Sequence, residues 1–338
     1  MRFISTFRIL TLVLLYANIF SVFAKAPTTP KILFTSARDG NYEVYLMNPD
    51  GTEQVNLTQH PANDLQAVWS PTGEQILFVS NRRDLRPRGT RDLYLMAPDG
   101  SNVRSVFKRK IETWRVSPTW SPDGKQIAYT NVNWDAREFL IYIATFGEQE
   151  EELFMNGSDP AWSPDGTEIA CSVGGRVTLV NIHTRKQERL LPKKAMFWQN
   201  HPSWSATGDK LAFAWNNNPL PRLLPGEPVP IAWANKQTIY IVNRDGTELQ
   251  QLVDEAGPNA WSSELSPDGA EVLYTQEIKE RSQIFKVDVN SRIWTQLTHI
   301  GMPRFGNFGG DWFDPAYALP VSPQPQLLTT TWGEVKRK

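Results

Sequence analysis

Short apolar runs recur along this chain without any helical period. They read KILFTS at 31–36, QILFVS at 75–80, QIAYTN at 126–131, EIACSV at 168–173, KLAFAW at 210–215 and EVLYTQ at 271–276. Each is rich in β-branched and aromatic residues and bounded by turn residues, the pattern of a buried strand. After a loop comes a second run, such as DLYLM at 92–96 or TIYIV at 238–242, which closes on a turn such as NPDG at 48–51, APDG at 97–100 or NRDG at 243–246. A third run ends near Leu57-Thr58 or Leu297-Thr298, and a fourth leads into a Trp. The chain therefore reads as units of four short strands joined by hairpin turns.

A five-residue signature punctuates the units. It stands as WSPTG at 69–73, WSPDG at 120–124 and 162–166, WSATG at 204–208, LSPDG at 265–269 and a degenerate WFDPA at 312–316, in steps of 51, 42, 42, 61 and 47 residues. Such a period marks a blade or solenoid repeat. Pro presets φ, Asp bonds its own backbone, and Gly accepts a positive φ at the exit of the turn. The preceding residues Trp69, Trp120, Trp162, Trp204, Leu265 and Trp312 can fill the wedge between neighbouring units. Ser121 and Asp123 resemble a nucleophile and an acid, but no His recurs with them and the turn appears in every unit. The signature is read as architecture, and no catalytic residue is assigned.

The two ends complement each other. The run at 31–36 matches the strand that follows the signature, yet no signature precedes it; 310–312 matches the strand that leads into one, with no blade after it. If the last strand completes the first unit, the ring closes and removes the exposed edges of an open array. The expected fold is an all-β six-bladed β-propeller over residues 31–316, closed by pairing of its N- and C-terminal strands.

Composition narrows the function. Hydrophobic residues make up 40% and charged residues 21% of the 338, which places the chain among globular proteins. Arg2 and Arg8 accompany an apolar run at 9–23, and Val22-Phe23-Ala24 places small residues at −3 and −1, the pattern of a secretory signal cleaved after Ala24. A run of this length also approaches a membrane span; the cleavage site favours removal. Loss of residues 1–24 takes away two Arg and no acid, moving the formal charge from −1 to −3. That charge gives no footprint for nucleic acid. The single cysteine, Cys171, excludes an intrachain disulfide and reads as a small buried hydrophobe.

The stretch Asp159-Pro160-Ala161-Trp162 through Gly166, together with YLMNPDG at 45–51, resembles the propeller repeats of the TolB-like family. The resemblance covers about 280 residues. It implies a periplasmic or secreted propeller that acts as a binding platform for an envelope or extracellular protein or peptide, with no cofactor. TolB carries an α/β domain ahead of its propeller. Here the first blade strand starts about seven residues after the expected cleavage site, so the resemblance is to the propeller alone.

In such repeats the position three before the Trp is often polar and faces the central channel. Here that position holds Gln66, Ser117, Asp159, His201, Ser262 and Gly309. A polar ring suits a water-filled structural channel or a ligand site. His201 and Asp159 fall in adjacent units and could move a proton or hold a metal. The four His (His60, His183, His201, His299) show no metal-ligand spacing, so no metal is assigned. Related propellers include hydrolases and lyases, so an enzyme or carbohydrate-binding propeller with its site in the channel is the alternative to a non-catalytic scaffold.

Two insertions and a tail complete the candidates. Residues 82–91 hold Arg82, Arg83, Arg86, Arg88 and Arg91, a basic loop able to steer an acidic partner. Residues 216–237 are Pro-rich and apolar, with Leu223, Leu224 and Trp233 as possible contacts. The tail at 317–338 carries Pro320, Pro323, Pro325 and Trp332; it reads as a frayed end, or as a short strand or docking peptide.

Overall fold

The computed structural model describes residues 25–86, 89–108, 112–148, 150–195, 198–223, 227–301 and 306–320. The expected signal sequence, Arg88, Leu224 and the tail beyond residue 320 lie outside the described residues.

Six four-stranded antiparallel sheets form a ring, a six-bladed β-propeller. The first blade holds β1 (Lys31–Ser36), β2 (Glu43–Met47) and β3 (Val55–Asn56). Its innermost strand comes from the other end of the chain: β24 (Asn307–Phe313) pairs antiparallel with β1, with Lys31 opposite Phe313 and Ile32 opposite Trp312. Each of the other five blades is a run of four consecutive strands. Their innermost strands are β4 (Asp64–Trp69), β8 (Trp114–Trp120), β12 (Ser158–Trp162), β16 (Gln199–Trp204) and β20 (Ala260–Leu265).

Strand character follows position in the blade. Second strands such as β1 and β5 (Ile76–Ser80) are buried over nearly their whole length, because blades pack against both of their faces. A strand covered on both sides needs a continuous apolar run, which is why these segments do not alternate. Several outermost strands are short and polar, as in β7 (Arg104–Ser105), β15 (Gln187–Arg189) and β19 (Gln250–Gln251). Short polar edges leave little backbone to pair with another chain.

The apolar interior is divided into six wedges between blades. Trp69 lies with Leu33, Val44 and Phe78 between the first and second blades. Trp120 lies with Leu77, Val79 and Ile127 in the next wedge, and Trp162 with Ile141, Ile169 and Cys171 in the one after. Trp204 packs on Leu179 and Phe213, Leu265 on Ala212 and Tyr274, and Trp312 on Ile32 and Leu273. Each signature aromatic, or the Leu in its place, therefore joins two blades. Burial of Cys171 pushes its thiol pKa up to about 12, so it stays protonated.

The signature turns spend their polar groups locally. Ser121 Oγ donates to Asp123 Oδ1 at 2.7 Å and accepts the Gln126 N–H at 2.8 Å, while Asp123 Oδ1 accepts the Lys125 N–H at 3.0 Å. The same three bonds recur around Ser163 with Asp165, and around Ser266 with Asp268. A serine and an aspartate committed in this way act as a turn clamp.

Ring closure also has a packed anchor. Phe313 is buried against Trp69, ring centroids 5.2 Å apart. Gly73 makes room for it: its φ is +71°, and a Cβ there would come within 2.2 Å of the Phe313 ring. Phe313→Ala is expected to cost about 3–5 kcal/mol, read as a lower urea midpoint. An unchanged midpoint would show that the wedge next to the closing strand carries little stability.

Candidate functional site

Every innermost strand slips register by one bulge. The shift falls between Leu65 and Val68, Val116 and Thr119, Ser158 and Ala161, Asn200 and Ser203, and Trp261 and Glu264, with its counterpart in β24 opposite Leu33 and Thr35. The bulged residue adopts left-handed backbone each time: φ is +52° at Gln66, +49° at Ser117, +53° at Asp159, +50° at His201, +53° at Ser262 and +67° at Gly309. A non-glycine residue held there costs on the order of 1–3 kcal/mol. Five such residues at equivalent positions mean that the ring imposes the conformation. A bulge re-aims a side chain, and all six positions line one axial cavity of about 150 Å³.

Hydrogen bonds between blades fix the bulges. Thr35 Oγ1 accepts the Gln66 N–H at 3.2 Å, Thr130 Oγ1 that of Asp159 at 3.1 Å, and Thr275 Oγ1 that of Gly309 at 3.0 Å. These threonines hold the same position in their second strands. Val79 occupies it in the second blade, and there Gln66 Oε1 accepts the Ser117 N–H at 3.0 Å instead. Gln66 is thus partly spent on architecture. Asp159 accepts from Ser117 Oγ at 3.1 Å and from Ser158 Oγ at 3.0 Å, and lies 3.7 Å from His201 Nδ1. A continuous polar arc runs from Gln66 through Ser117 and Asp159 to His201, and Ser262 and Gly309 leave the opposite side open.

Deeper in the channel stand two carboxylates that sequence reasoning passed over. The position just before the signature residue holds Val68, Thr119, Ala161, Ser203, Glu264 and Asp311 in successive blades. In three of the six blades it ties adjacent inner strands together. Thr119 Oγ1 accepts the Trp162 N–H at 3.4 Å, Ser203 Oγ that of Leu265 at 2.9 Å, and Asp311 Oδ2 that of Trp69 at 2.5 Å. A second cavity, about 210 Å³ on the turn side, is lined by Glu264, Asp311 and the rings of Trp69, Trp204 and Trp312. Glu264 lines both cavities and so stands between them. Surrounding protein raises both acids: desolvation lifts Asp311 to about 7, against the pull of the Trp69 N–H. Desolvation, then the charge of Asp311, lifts Glu264 well above the usual carboxylate range.

The insertions open at the end of the channel where the inner strands begin. Ser80, just before residues 82–91, pairs with Asp64, and Trp215, just before residues 216–237, pairs with Gln199. The four described arginines of the basic loop each have a partner. Arg82 donates to Asp64 at 2.7 Å, Arg83 to Asp92 at 3.3 Å and Arg86 Nε to Asp84 at 2.6 Å. Arg91 stacks over Trp114, 4.3 Å from the ring centre. In the other insertion Leu223 is half-buried, whereas Trp233 is buried on the short helix α1 (Ile231–Ala234). Trp233 donates Nε1–H to the Pro219 carbonyl at 2.8 Å and meets Trp198 edge-on at 5.3 Å. The ring pins the insertion to the blade. Among the described residues, no group of three or more His, Cys, Asp or Glu is placed to hold a metal ion.

Fold and site together define a closed six-bladed propeller with a polar axial channel. No family model matches the chain. It is similar to an uncharacterized protein of Agrobacterium fabrum, 34% identical over 103 residues, covering 29% of this chain and 35% of that protein. It is also similar to the Tol-Pal system protein TolB of Nitrosomonas europaea, 30% identical over 106 residues, covering 31% of this chain and 24% of that protein. The chain thus spans about a third or less of the curated relatives it matches. The crystal structure of TolB from Acinetobacter baumannii superposes with a TM-score of 0.63 at 17% identity, over 83% of this chain and 66% of that one. The chain is a six-bladed β-propeller similar in its repeats to TolB proteins.

The raised carboxyls make stability depend on pH. Both hold protons in the folded state to a higher pH than in the unfolded chain, where carboxyls titrate near 4. Their stabilising contribution is complete below that value and is lost as pH rises, for Asp311 through about 7. Urea midpoints of the wild type should therefore fall between pH 5 and pH 8 more steeply than those of Glu264→Gln/Asp311→Asn. Parallel pH profiles would contradict the shifts.

Proposed function

We propose that this chain is an exported, non-catalytic scaffold of the cell envelope that binds a protein or peptide at the mouth of its axial channel. The observation that carries the reading is the sixfold bulge: strained backbone at Gln66, Ser117, Asp159, His201 and Ser262 presents polar side chains to one cavity. Backbone strain repeated at one place per blade gathers on the axis groups that a sheet would otherwise scatter. The Ser and Asp of the signature, the other recurring polar groups, are committed to turns. The similarity to a Tol-Pal system protein supports an envelope setting. Insertions 82–91 and 216–237 frame the same mouth and enlarge the surface a partner meets there.

The reading is tested by a photo-crosslinking amino acid placed at Ser262 in the channel, or at Asp245 in an exposed turn on the opposite face. In living cells the Ser262 position should yield a discrete adduct with an envelope protein and the Asp245 position should not. Equal labelling at both sites, or none at Ser262, would count against channel binding.

A further inference from the structure

Charge along the channel is far from the balance of the whole chain. Overall there are 35 Lys and Arg against 36 Asp and Glu. The residues lining the two cavities include Asp159, Glu264, Asp311 and Asp314 and neither Lys nor Arg. The other titratable groups on these walls are His201 at the mouth and Tyr317 at the turn side. Asp159 is engaged by two hydroxyls and His201. The deeper pair is less committed: Asp311 accepts one backbone N–H through Oδ2, and Glu264 is engaged by Ser203. Two carboxylates offer about eight acceptor sites, so most of their capacity is open.

We infer that the turn-side half of the channel binds a positively charged side chain, the ammonium or guanidinium of a lysine or arginine on an extended peptide, between Glu264 and Asp311. The inference rests on the channel-binding reading and adds the chemistry of what enters. Glu264 and Asp311 occupy the same repeat position in adjacent blades and share one cavity wall. The rings of Trp69, Trp204 and Trp312 line that cavity, and aromatic faces attract cations that have shed water. Two carboxylates and three tryptophans on one cavity wall together match a cationic side chain. Cavities of about 150 and 210 Å³ hold a side chain and a few backbone atoms rather than a folded element.

The test uses the intact secreted chain and two acetylated, amidated Gly-Ser peptides of equal length, one with a central arginine and one with citrulline there. Titration calorimetry at pH 8 should show the arginine peptide binding about tenfold or more tightly, as charge-assisted pairing implies. The preference should shrink at pH 5.5, where Asp311 is protonated. It should vanish in Glu264→Gln/Asp311→Asn, whose amides preserve side-chain size and leave an acceptor for the Trp69 N–H. Equal binding of the two peptides, binding of neither, or a preference that survives the double substitution would overturn the inference. So would stoichiometric binding of calcium chloride alone at the pair, which would put a metal ion in place of the side chain. Equal binding that Ser262→Trp blocks would remove the charge selection and leave channel binding standing. An arginine preference with no crosslink from Ser262 in cells would instead strike at the envelope-scaffold reading.

Discussion

The whole architecture depends on the wedge between blades, filled each time by the residue that opens the signature turn. A four-stranded sheet of this size cannot bury both faces alone, so each blade is stable only between two neighbours. That requirement leaves the first and last blades of an open array exposed. Pairing of β24 with β1 satisfies it by making the ring endless, and Phe313 and Trp312 bring apolar bulk to wedges on both sides of the junction. Because the interior is divided into six wedges, the axis itself has no apolar core and is free to be polar.

The channel follows from that division. Inner strands converge on the axis, where straight ladders would crowd, and a bulge in each relieves the geometry. The bulge residue is exposed to the axis, and in four blades its N–H is tied to the preceding blade, through Thr35, Thr130 and Thr275 or through the Gln66 side chain. The interactions that close the ring thus also set the polar arc at its mouth. Glu264 and Asp311 extend the same logic: the position that ties strands with a small hydroxyl at Thr119 and Ser203 carries a carboxylate in two other blades, and at Asp311 the tie to Trp69 is kept.

Much of this was legible in the chain because turns and buried strands have local chemistry. The WSPDG spacing, the apolar second strands and the mismatched ends together predicted blade number and closure. The bulge was less visible, since left-handed backbone is usually advertised by glycine and only Gly309 among the six equivalents is one. Glu264 and Asp311 were missed because Val68, Thr119, Ala161 and Ser203 gave their position no common character. The ion pairs of the basic loop were hidden by distance: Asp64, which pairs with Arg82, lies in an earlier strand and comes beside it only through the register of β4 with β5. Trp233 reads as a contact in an apolar loop, yet in space its ring is the loop's own anchor.

The central claim is that the axis of the ring is where a partner engages. Amide hydrogen exchange of the full chain, alone and with an envelope protein crosslinked at Ser262, measures this most directly. The account predicts added protection in the inner strands at 64–69, 199–204 and 260–265 and unchanged exchange in the outer turns near 50 and 245. Protection confined to those turns, with the inner strands unaffected, would contradict it.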